Sequence, residues 1–275
     1  MGKVLSAGQI ADYERDGFVA PIDIFTAQEA AELRAELEAA EAKWPEAFVG
    51  AARNNAHLNL MCLDRIVHDT TLVDAVEDLI GPHILNYGTV LFIKEPGDPG
   101  FVSWHQDARY MGLEPHVGIT AWVALSHSNE DSGCMQMIPG SHHELRQHED
   151  TFGDTNILTR GQEVQGVDES KAVSLVLRPG QASFHSARVI HASQPNSSRD
   201  RRIGFVIQPY MPPDVRQTIT PTGAQLIRGR DPHGHFYRLG RPQGDMDPAD
   251  IEARDKVNDE WADILYHGAE KRRDY

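Results

Sequence analysis

Residues 182–209, ASFHSARVIHASQPNSSRDRRIGFVIQP, hold three short apolar runs that are separated by polar segments. Runs of this length between clusters of Ser, Asn, Asp and Pro are typical of β-strands joined by turns. The same pattern reaches back to residue 85, and the predicted strands are 85–94, 119–125, 134–138, 173–177, 182–185, 189–192 and 203–209. About seven strands without helical periods between them predict an antiparallel sandwich or barrel.

The first 80 residues have helical patterns instead. Ser6 with Gln9, and Thr26 with Glu29, fit the capping box, in which two side chains satisfy each other's backbone N–H groups. One helix should therefore begin after Ser6 and another after Thr26. The second should end before Pro45, because the residue before a proline avoids the helical conformation.

Further segments complete the predicted organisation. Apolar residues recur at helical spacing over 72–80 and are followed by Gly-Pro at 81–82, so a third helix should end there. A long polar segment, 144–170, is predicted to be functional or mobile, for example as a lid. Towards its C-terminus the chain is rich in Pro and Gly, with a predicted Gly-rich turn at 228–236 and a charged terminal helix at 248–269.

The composition excludes several classes of protein. Asp and Glu number 41 against 26 Lys and Arg, and the formal charge of −15 would repel nucleic acid and anionic lipid. Only two cysteines occur, Cys62 and Cys134, so a disulfide framework or a thiolate zinc site is not expected. No apolar stretch approaches the roughly 18 residues of a membrane helix, and the N-terminus lacks a signal core. We therefore expect a soluble, cytoplasmic protein with neither nucleic-acid nor membrane partners, and the oligomeric state stays open.

The 14 histidines prompt a search for metal ligands, and the stretch 103–109, SWHQDAR, offers the first pair. On a strand, His105 and Asp107 would project from one face about 6.5–7 Å apart along the chain. An imidazole and a carboxylate could then converge on one ion. The alternative is a chance pair on the surface, because His-x-Asp triplets are common.

His191 is the candidate for a third ligand, and His185 is its main competitor. If 195–200 is the turn of an antiparallel hairpin, His191 faces Arg202, with β-carbons about 5 Å apart. The planar guanidinium of Arg202 could then bind a carboxylate of a metal-bound cosubstrate. The alternative is a surface hairpin whose arginines are solvated. His185 has no arginine at the matching offset, which favours His191.

Two histidines and one carboxylate form a facial triad, which leaves three adjacent positions open and favours non-haem Fe(II) oxygen chemistry. A structural zinc site would fill all four of its positions, and no fourth ligand occurs at a plausible spacing. A zinc hydrolase could use the same three ligands with a metal-bound water. That alternative, like a non-catalytic binding module, leaves Arg202 and Ser193 without a role.

The chain resembles the phytanoyl-CoA dioxygenase family of Fe(II)/2-oxoglutarate-dependent oxygenases. The resemblance covers most of residues 5–210 and is weaker in the leading helices and in 76–98. The matching stretches are WHQD at 104–107, ITAWVALSHSNEDSGCMQMIPGSHH at 119–143, PGQASFH at 179–185 and IHASQPNSSRDRRIGF at 190–205. The combination is specific, because it joins His-x-Asp, Gly-Cys before Pro-Gly-Ser-His, and His-x-Ser with an arginine after the turn.

The resemblance implies a mainly β protein with helical flanks, built on a double-stranded β-helix, which is a cupin-like jelly roll. It implies a single oxygenase domain over 1–275, with a mainly helical part at 1–82, a jelly-roll core at 84–210 and a C-terminal extension at 211–275. Such a protein is an enzyme, an oxidoreductase that uses Fe(II), 2-oxoglutarate and O2 and releases succinate and CO2.

The resemblance also implies roles for individual side chains. The iron ligands of the family match His105, Asp107 and His191. The positions that would bind 2-oxoglutarate or line its cavity match Arg202, Ser193, Trp122 and, less closely, Lys94. Related halogenases replace the aspartate by a small residue, so the presence of Asp107 favours hydroxylation or another oxidation over halogenation.

The substrate is predicted only by class. Members of the family act on acyl-CoA, ectoine-type zwitterions, aminoalkylphosphonates and their trimethylammonium analogues, amino acids or intermediates of secondary metabolism. Polar residues near the metal ligands favour a small zwitterion such as an aminoalkylphosphonate, with an acyl-CoA or a secondary-metabolite intermediate as the alternative. The side chains expected to contact it are Arg109, Tyr110, Arg188 and Asn59.

Overall fold

The computed structural model describes residues 2–272. The α-helices in this range are α1 (Ala7–Asp16), α2 (Ala27–Lys43), α3 (Met61–Val67), α4 (Thr70–Ile80) and α5 (Pro248–Leu265). The first strands are β1 (Phe18–Asp23), β2 (Ile84–Asn86), β3 (Thr89–Lys94), β4 (Val102–His105), β5 (Leu113–Glu114), β6 (Ile119–Ala124), β7 (Met135–Met137) and β8 (His148–Asp150). The remaining strands are β9 (Gln162–Val164), β10 (Val173–Leu175), β11 (Gln181–Ser186), β12 (His191–Ser193), β13 (Arg202–Met211), β14 (Arg216–Gln217), β15 (Gly223–Arg228) and β16 (Tyr237–Arg238).

Most strands belong to two sheets that face each other. The large sheet has the order β1-β11-β6-β13-β2-β15-β16, with β3 paired to β13, and the small sheet has the order β10-β7-β12-β4. All pairings in these sheets are antiparallel except that of β15 with β16. The predicted mainly β fold with helical flanks, a cupin-like jelly roll, is confirmed.

Alternate residues of β13 belong to two different apolar clusters. Phe205 and Ile207 pack with residues of the N-terminal helices, in a cluster that covers the outer face of the large sheet. Val206 points to the other face and packs with Trp122 and Met137 between the two sheets. Successive strand residues face opposite sides of a sheet, so one nearly all-apolar strand joins both layers. Each fully buried side chain of this size contributes about 1.5–3 kcal/mol relative to exposure.

The predicted starts and stops of the N-terminal helices are confirmed. Both capping boxes are present, at Ser6 before α1 and at Thr26 before α2. Helix α2 ends at Lys43, before Pro45, and α4 ends at Ile80, before the glycine and proline. The terminal helix begins at the predicted residue but ends at Leu265 rather than at 269.

The large sheet extends beyond the predicted core of 84–210 at both ends. Strand β1 lies within the stretch that was expected to be helical, and β15 lies in the C-terminal extension. Pro21 obscures β1 in the sequence, yet it is tolerated because β1 is an edge strand that pairs only with β11. The assignment of 1–275 to a single domain stays a prediction.

The predicted hairpin between His191 and Arg202 is wrong. Strand β12 belongs to the small sheet and β13 to the large sheet, so the intervening segment crosses between sheets. Asn196 holds this crossing, because its amide donates to the carbonyls of Lys94 at 3.0 Å and Asp200 at 2.9 Å. Arg202 instead pairs with Lys94 across β13 and β3.

The remaining predicted segments are ordered by their contacts. The segment 144–170 contains the antiparallel pair β8 and β9, and Arg160 donates to Asp150 within it. Its motion as a lid stays a prediction. The stretch 228–236 contains a turn in which Asp231 accepts the backbone N–H groups of His233 and Gly234. Among the described residues, none of the helices combines the length and the apolar character that a membrane span needs.

Candidate metal centre and cavities

The predicted ligands His105, Asp107 and His191 lie together. Strands β4 and β12 are neighbours in the small sheet, and their register places His105 directly opposite His191. Asp107 follows β4 in a 3-10 turn, Asp107–Arg109, rather than on the strand as predicted. Its Oδ1 lies 3.3 Å from His105 Nε2 and 3.9 Å from His191 Nε2, and one donor atom of each residue lies within 4.8 Å of the others.

Backbone carbonyls orient both imidazoles. His105 Nδ1 lies 2.8 Å from the Ser103 carbonyl oxygen and 3.1 Å from that of His191, and His191 Nδ1 lies 3.1 Å from the Val189 carbonyl oxygen. A carbonyl accepts only, so each Nδ1 carries the proton and donates it. The Nε2 lone pair of each ring therefore faces the shared space, which is the arrangement of metal-binding histidines.

The protonation states also suit a cation. Burial, with His105 beside it, lowers the pKa of His191 to about 3, so the imidazole is neutral near pH 7. Burial alone would raise the pKa of Asp107, but the imidazoles of His191 and His105 outweigh burial and hold that pKa below its usual range. Thr120 Oγ1 donates to the other carboxylate oxygen, Oδ2, at 3.3 Å. The site thus offers the neutral imidazole of His191 and the anionic carboxylate of Asp107.

These three donors fit the ligand set of a facial non-haem iron site. Among residues 2–272, they form the one cluster of histidine, cysteine or carboxylate side chains whose spacing suits a metal ion. His185, the competing ligand, is buried and its Nε2 lies 3.9 Å from Asp107 Oδ2, outside that cluster. Among the described residues the cluster has three donors and no fourth, so it does not form the four-coordinate site of a structural zinc.

An inner chamber of about 80 Å³ adjoins the three residues on one side. Arg202, Ser193 and Trp122 line it. Lys94 lies behind Ser193, since its Nζ donates to Ser193 Oγ at 2.8 Å and to the Gln194 carbonyl at 2.5 Å. The four residues that were predicted to bind or surround 2-oxoglutarate are therefore neighbours.

Two buried basic side chains lie side by side here, Arg202 in the lining of the inner chamber and Lys94 behind Ser193. Burial lowers the pKa of Arg202 to about 10, and burial together with Arg202 lowers the pKa of Lys94 to about 7. Arg202 donates to the Gly133 carbonyl at 2.6 Å, but its Nε is buried without a partner. Within the described chain neither cation has a carboxylate partner at ion-pair distance. Buried charges are costly unless they are paired, so the chamber is suited to an anion.

An outer cavity of about 490 Å³ adjoins His105 and Asp107. His105 and Asp107 line both the inner chamber and the outer cavity, and so do Phe92, Leu158 and Gln208. The candidate metal centre therefore stands at the junction of the two spaces. This volume is within the range of pockets for small molecules.

The structure brings only one of the four predicted substrate contacts to the outer cavity. Tyr110 lines it, whereas Arg109, Arg188 and Asn59 do not. Arg109 is exposed and bonds to Gln147, and Arg188 reaches the His143 carbonyl at 3.1 Å. Asn59 is fully buried beside α5, where its side-chain amide donates to the Ala56 carbonyl at 3.1 Å and accepts from Arg254 at 3.1 Å. Spacing along the chain could not reveal these directions.

Gln106, between His105 and Asp107, is a supporting residue that the sequence analysis missed. Its side chain donates to the carbonyls of Glu144 at 2.7 Å and Arg188 at 2.5 Å, and it accepts the Arg146 backbone N–H at 2.8 Å. It therefore fastens two neighbouring loops to the ligand segment. A buried polar residue inside a His-x-Asp triplet is the signal that could have identified it.

The jelly roll, the triad and the cationic chamber together define the class of non-haem Fe(II)/2-oxoglutarate oxygenases. The model of the family described as phytanoyl-CoA dioxygenase (PhyH) matches residues 13–204. The chain belongs to this family.

Individual relatives are similar over different shares of the chain. The peroxisomal phytanoyl-CoA dioxygenase of Bos taurus is 33% identical over 138 residues, which are 46% of this chain and 40% of that protein. A probable alpha-ketoglutarate-dependent hypophosphite dioxygenase of Stutzerimonas stutzeri is 28% identical over 155 residues, 54% of this chain and 52% of that protein. The chain thus spans about half, or less, of these curated relatives. The apo structure of ThoJ, a non-heme monooxygenase, is 32% identical with a TM-score of 0.85 and covers 96% of this chain and 100% of its own.

Proposed function

We propose that the protein is an Fe(II)/2-oxoglutarate-dependent dioxygenase that hydroxylates a C–H bond of a small molecule and releases succinate and CO2. One observation carries the proposal: the three metal donors line a small chamber together with the buried guanidinium of Arg202, and neither Arg202 nor the neighbouring Lys94 is paired with a carboxylate of the described chain. Family membership supports the same reaction class.

His105, Asp107 and His191 are the proposed iron ligands. When bound, the iron supplies the oxidation chemistry that couples O2 and 2-oxoglutarate to the substrate. The protein contributes orientation and charge: the carbonyls of Ser103 and Val189 fix the two rings, and the ionised Asp107 compensates part of the charge of the cation.

Arg202, Ser193 and Lys94 are the proposed residues for the distal carboxylate of 2-oxoglutarate. Arg202 has a buried N–H without a partner, and Lys94 holds the hydroxyl of Ser193 at 2.8 Å. Trp122 forms the apolar wall against this carboxylate group, with its ring 5.4 Å from the Arg202 guanidinium carbon. The distal carboxylate would supply the anionic partner that these two basic side chains lack, which neither a zinc hydrolase nor a binding module requires.

The lining of the outer cavity bears on the substrate class. An aminoalkylphosphonate would need several cationic donors beside the iron, but Arg109 and Arg188 lie outside the cavity that adjoins it. The alternative from the sequence analysis, an intermediate of secondary metabolism or an acyl group, suits the largely apolar lining better.

The reaction class is tested by adding Fe(II) and then 2-oxoglutarate to the chain without oxygen. We expect the weak visible charge-transfer band of the chelate, and succinate when air is admitted. Asp107→Ala should give neither. Metal binding without 2-oxoglutarate binding would favour the zinc hydrolase, and absence of both would favour a non-catalytic module.

A further inference from the structure

The outer cavity is lined mainly by apolar and aromatic side chains. Tyr87, Met111, Leu158, Trp261 and Leu265 are among them. Burying a charged group against such a surface is unfavourable unless a partner is supplied.

The charged members of the lining, apart from the triad, are either committed or lie at the mouth. Arg53 donates to the Phe48 carbonyl at 2.5 Å, and Asp98 accepts the Gly100 N–H at 2.7 Å. Asp259 and Arg272 are exposed residues. The body of a molecule in this cavity would therefore meet apolar groups.

Two aromatic rings form a stacked pair in this wall. The rings of Tyr87 and Trp261 are 5.0 Å apart at their centroids and 16° from parallel. Gly88 allows the indole to approach, because a β-carbon there would lie 2.1 Å from Trp261 Cζ2. Aromatic surfaces of this kind favour flat apolar partners, with which they stack face or edge.

Helix α5, which carries Trp261, is fastened to the opposite side of the cavity. Asn258 Nδ2 donates to the carbonyls of Ala51 at 3.0 Å and Asn54 at 3.1 Å, and Asn258 Oδ1 accepts from Asn55 at 3.0 Å. At the end of α5, Arg160 donates to the Leu265 carbonyl at 2.5 Å. The helix is thus a fixed wall of the cavity.

This wall lies outside the part of the chain that matches the family model. The match ends at residue 204, whereas α5 begins at Pro248. The metal donors and the cationic chamber lie within the match. Trp261 of α5 therefore lies outside the match, whereas Tyr87 and the metal donors lie within it.

We infer that α5 determines the specificity of the outer cavity and that the substrate presents an apolar ring to Trp261 and Tyr87. This inference rests on the proposed function, because it names the substrate class of the same enzyme. It replaces the small zwitterion as the expected substrate.

The inference is tested by binding of two sets of probes to the full chain, with and without Fe(II) and 2-oxoglutarate under anaerobic conditions. Coumarin and 2-naphthol represent apolar rings, and 2-aminoethylphosphonate and glycine betaine represent zwitterions. Saturation-transfer NMR and calorimetry should show saturable binding of the ring compounds and none of the zwitterions. Binding of the ring compounds to the metal-free chain tests the cavity wall alone. Ring binding without a chelate band or succinate would support the inference but not the proposed reaction. A chelate band and succinate without ring binding would support the reaction but not the inference.

Substitutions of Trp261 locate the binding. Trp261→Ala should weaken ring binding by at least about 2- to 12-fold, which corresponds to the loss of one aromatic pair. Trp261→Phe keeps a ring and should stay closer to the original affinity. Trp44→Phe, a matched change outside the cavity, should have no effect.

A variant that fills the cavity with a larger side chain gives a second measurement of ring binding if Trp261→Ala does not fold. Leu265→Trp should abolish saturable ring binding while circular dichroism shows a folded chain. Saturable binding of the zwitterions in place of the ring compounds would overturn the inference. So would equal ring binding by the original chain and a folded Trp261→Ala or Leu265→Trp variant.

Discussion

The inner chamber and the outer cavity meet at His105 and Asp107 but differ in volume, charge and lining. The inner chamber is about 80 Å³ and lies beside two buried basic side chains, and its key residues lie on strands of the jelly roll. The outer cavity is about 490 Å³ and largely apolar, and a helix from the C-terminal extension forms part of its wall.

The difference teaches how one fold can keep a reaction and change its substrate. The inner residues are held by strand register, as in the pairing of Arg202 with Lys94, so their positions depend on the whole barrel. The outer wall depends on a few contacts of α5, such as those of Asn258. We expect changes in one space to leave the other nearly unaffected, and four predictions test this separation.

The largest effect is expected at the junction itself. Asp107→Asn keeps the shape but removes the only anionic donor, so Fe(II) affinity should fall by more than about 100-fold, the upper end for loss of a residue that merely supports a ligand. Calorimetry or fluorescence titration under anaerobic conditions would measure it. The exposed Asp214→Asn is the control, and similar metal affinity in Asp107→Asn and Asp214→Asn would contradict the ligand assignment.

The second largest effect is expected on 2-oxoglutarate affinity, from a substitution in the inner chamber. Arg202→Gln should weaken 2-oxoglutarate binding by about 10- to 150-fold, because one hydrogen bond to a charged group contributes about 1.5–3 kcal/mol. Fe(II) affinity should hardly change. The adjacent Arg201→Gln is a matched control, since Arg201 forms ion pairs with Glu41 and Glu95 instead. Equal losses of iron and 2-oxoglutarate affinity in Arg202→Gln would argue for general disruption.

A smaller effect is expected from pH. Burial and Arg202 lower the pKa of Lys94 to about 7 in the free chamber, and a bound dianion would stabilise the protonated form. The complex then binds more protons than the free protein above pH 7, so affinity for 2-oxoglutarate should fall as pH rises, by at most about tenfold per pH unit.

Calorimetry of the Fe(II)-loaded chain at pH 7 and pH 8 measures this dependence, and buffers of different ionisation enthalpy report the proton uptake. Lys94→Met should bind 2-oxoglutarate more weakly but without this slope. An unchanged slope in Lys94→Met would assign the proton to another group.

The smallest change in the inner chamber is expected from a variant of the outer wall. Asn258→Ala removes the contacts that fasten α5, so ring compounds should bind less tightly. The 2-oxoglutarate affinity should change by less than about twofold, because sites without shared partners act independently. Parallel titrations of one preparation with 2-oxoglutarate and with coumarin would measure both affinities. Equal losses of both affinities would show that the two spaces are coupled.

Local chemistry made a large part of this protein predictable from its sequence. The capping boxes at Ser6 and Thr26 and the stop after Ile80 use residues within a few positions of one another, and all three are confirmed. His105 and Asp107 are two positions apart, so their convergence follows from short-range geometry even though the chain turns after His105.

Partners that lie far apart in the chain could not be found in that way. The expected hairpin paired Arg202 with His191. The chain instead crosses from the small sheet to the large sheet, so Arg202 pairs with Lys94 and His191 pairs with His105. A polar segment looks the same in sequence whether it reverses the chain or crosses to another sheet.

The sequence by itself determined the helices, the strand-rich core, the donor types of the metal centre and the arginine for an anion, because these depend on residue chemistry and short spacing. Only the tertiary structure decided which side chains face the cavities. Arg109, Arg188 and Asn59 lie outside the outer cavity, whereas Trp261 of α5 stacks on Tyr87 in its wall. The physical reason is that side-chain direction depends on sheet register and helix docking, which are set by packing across the whole chain.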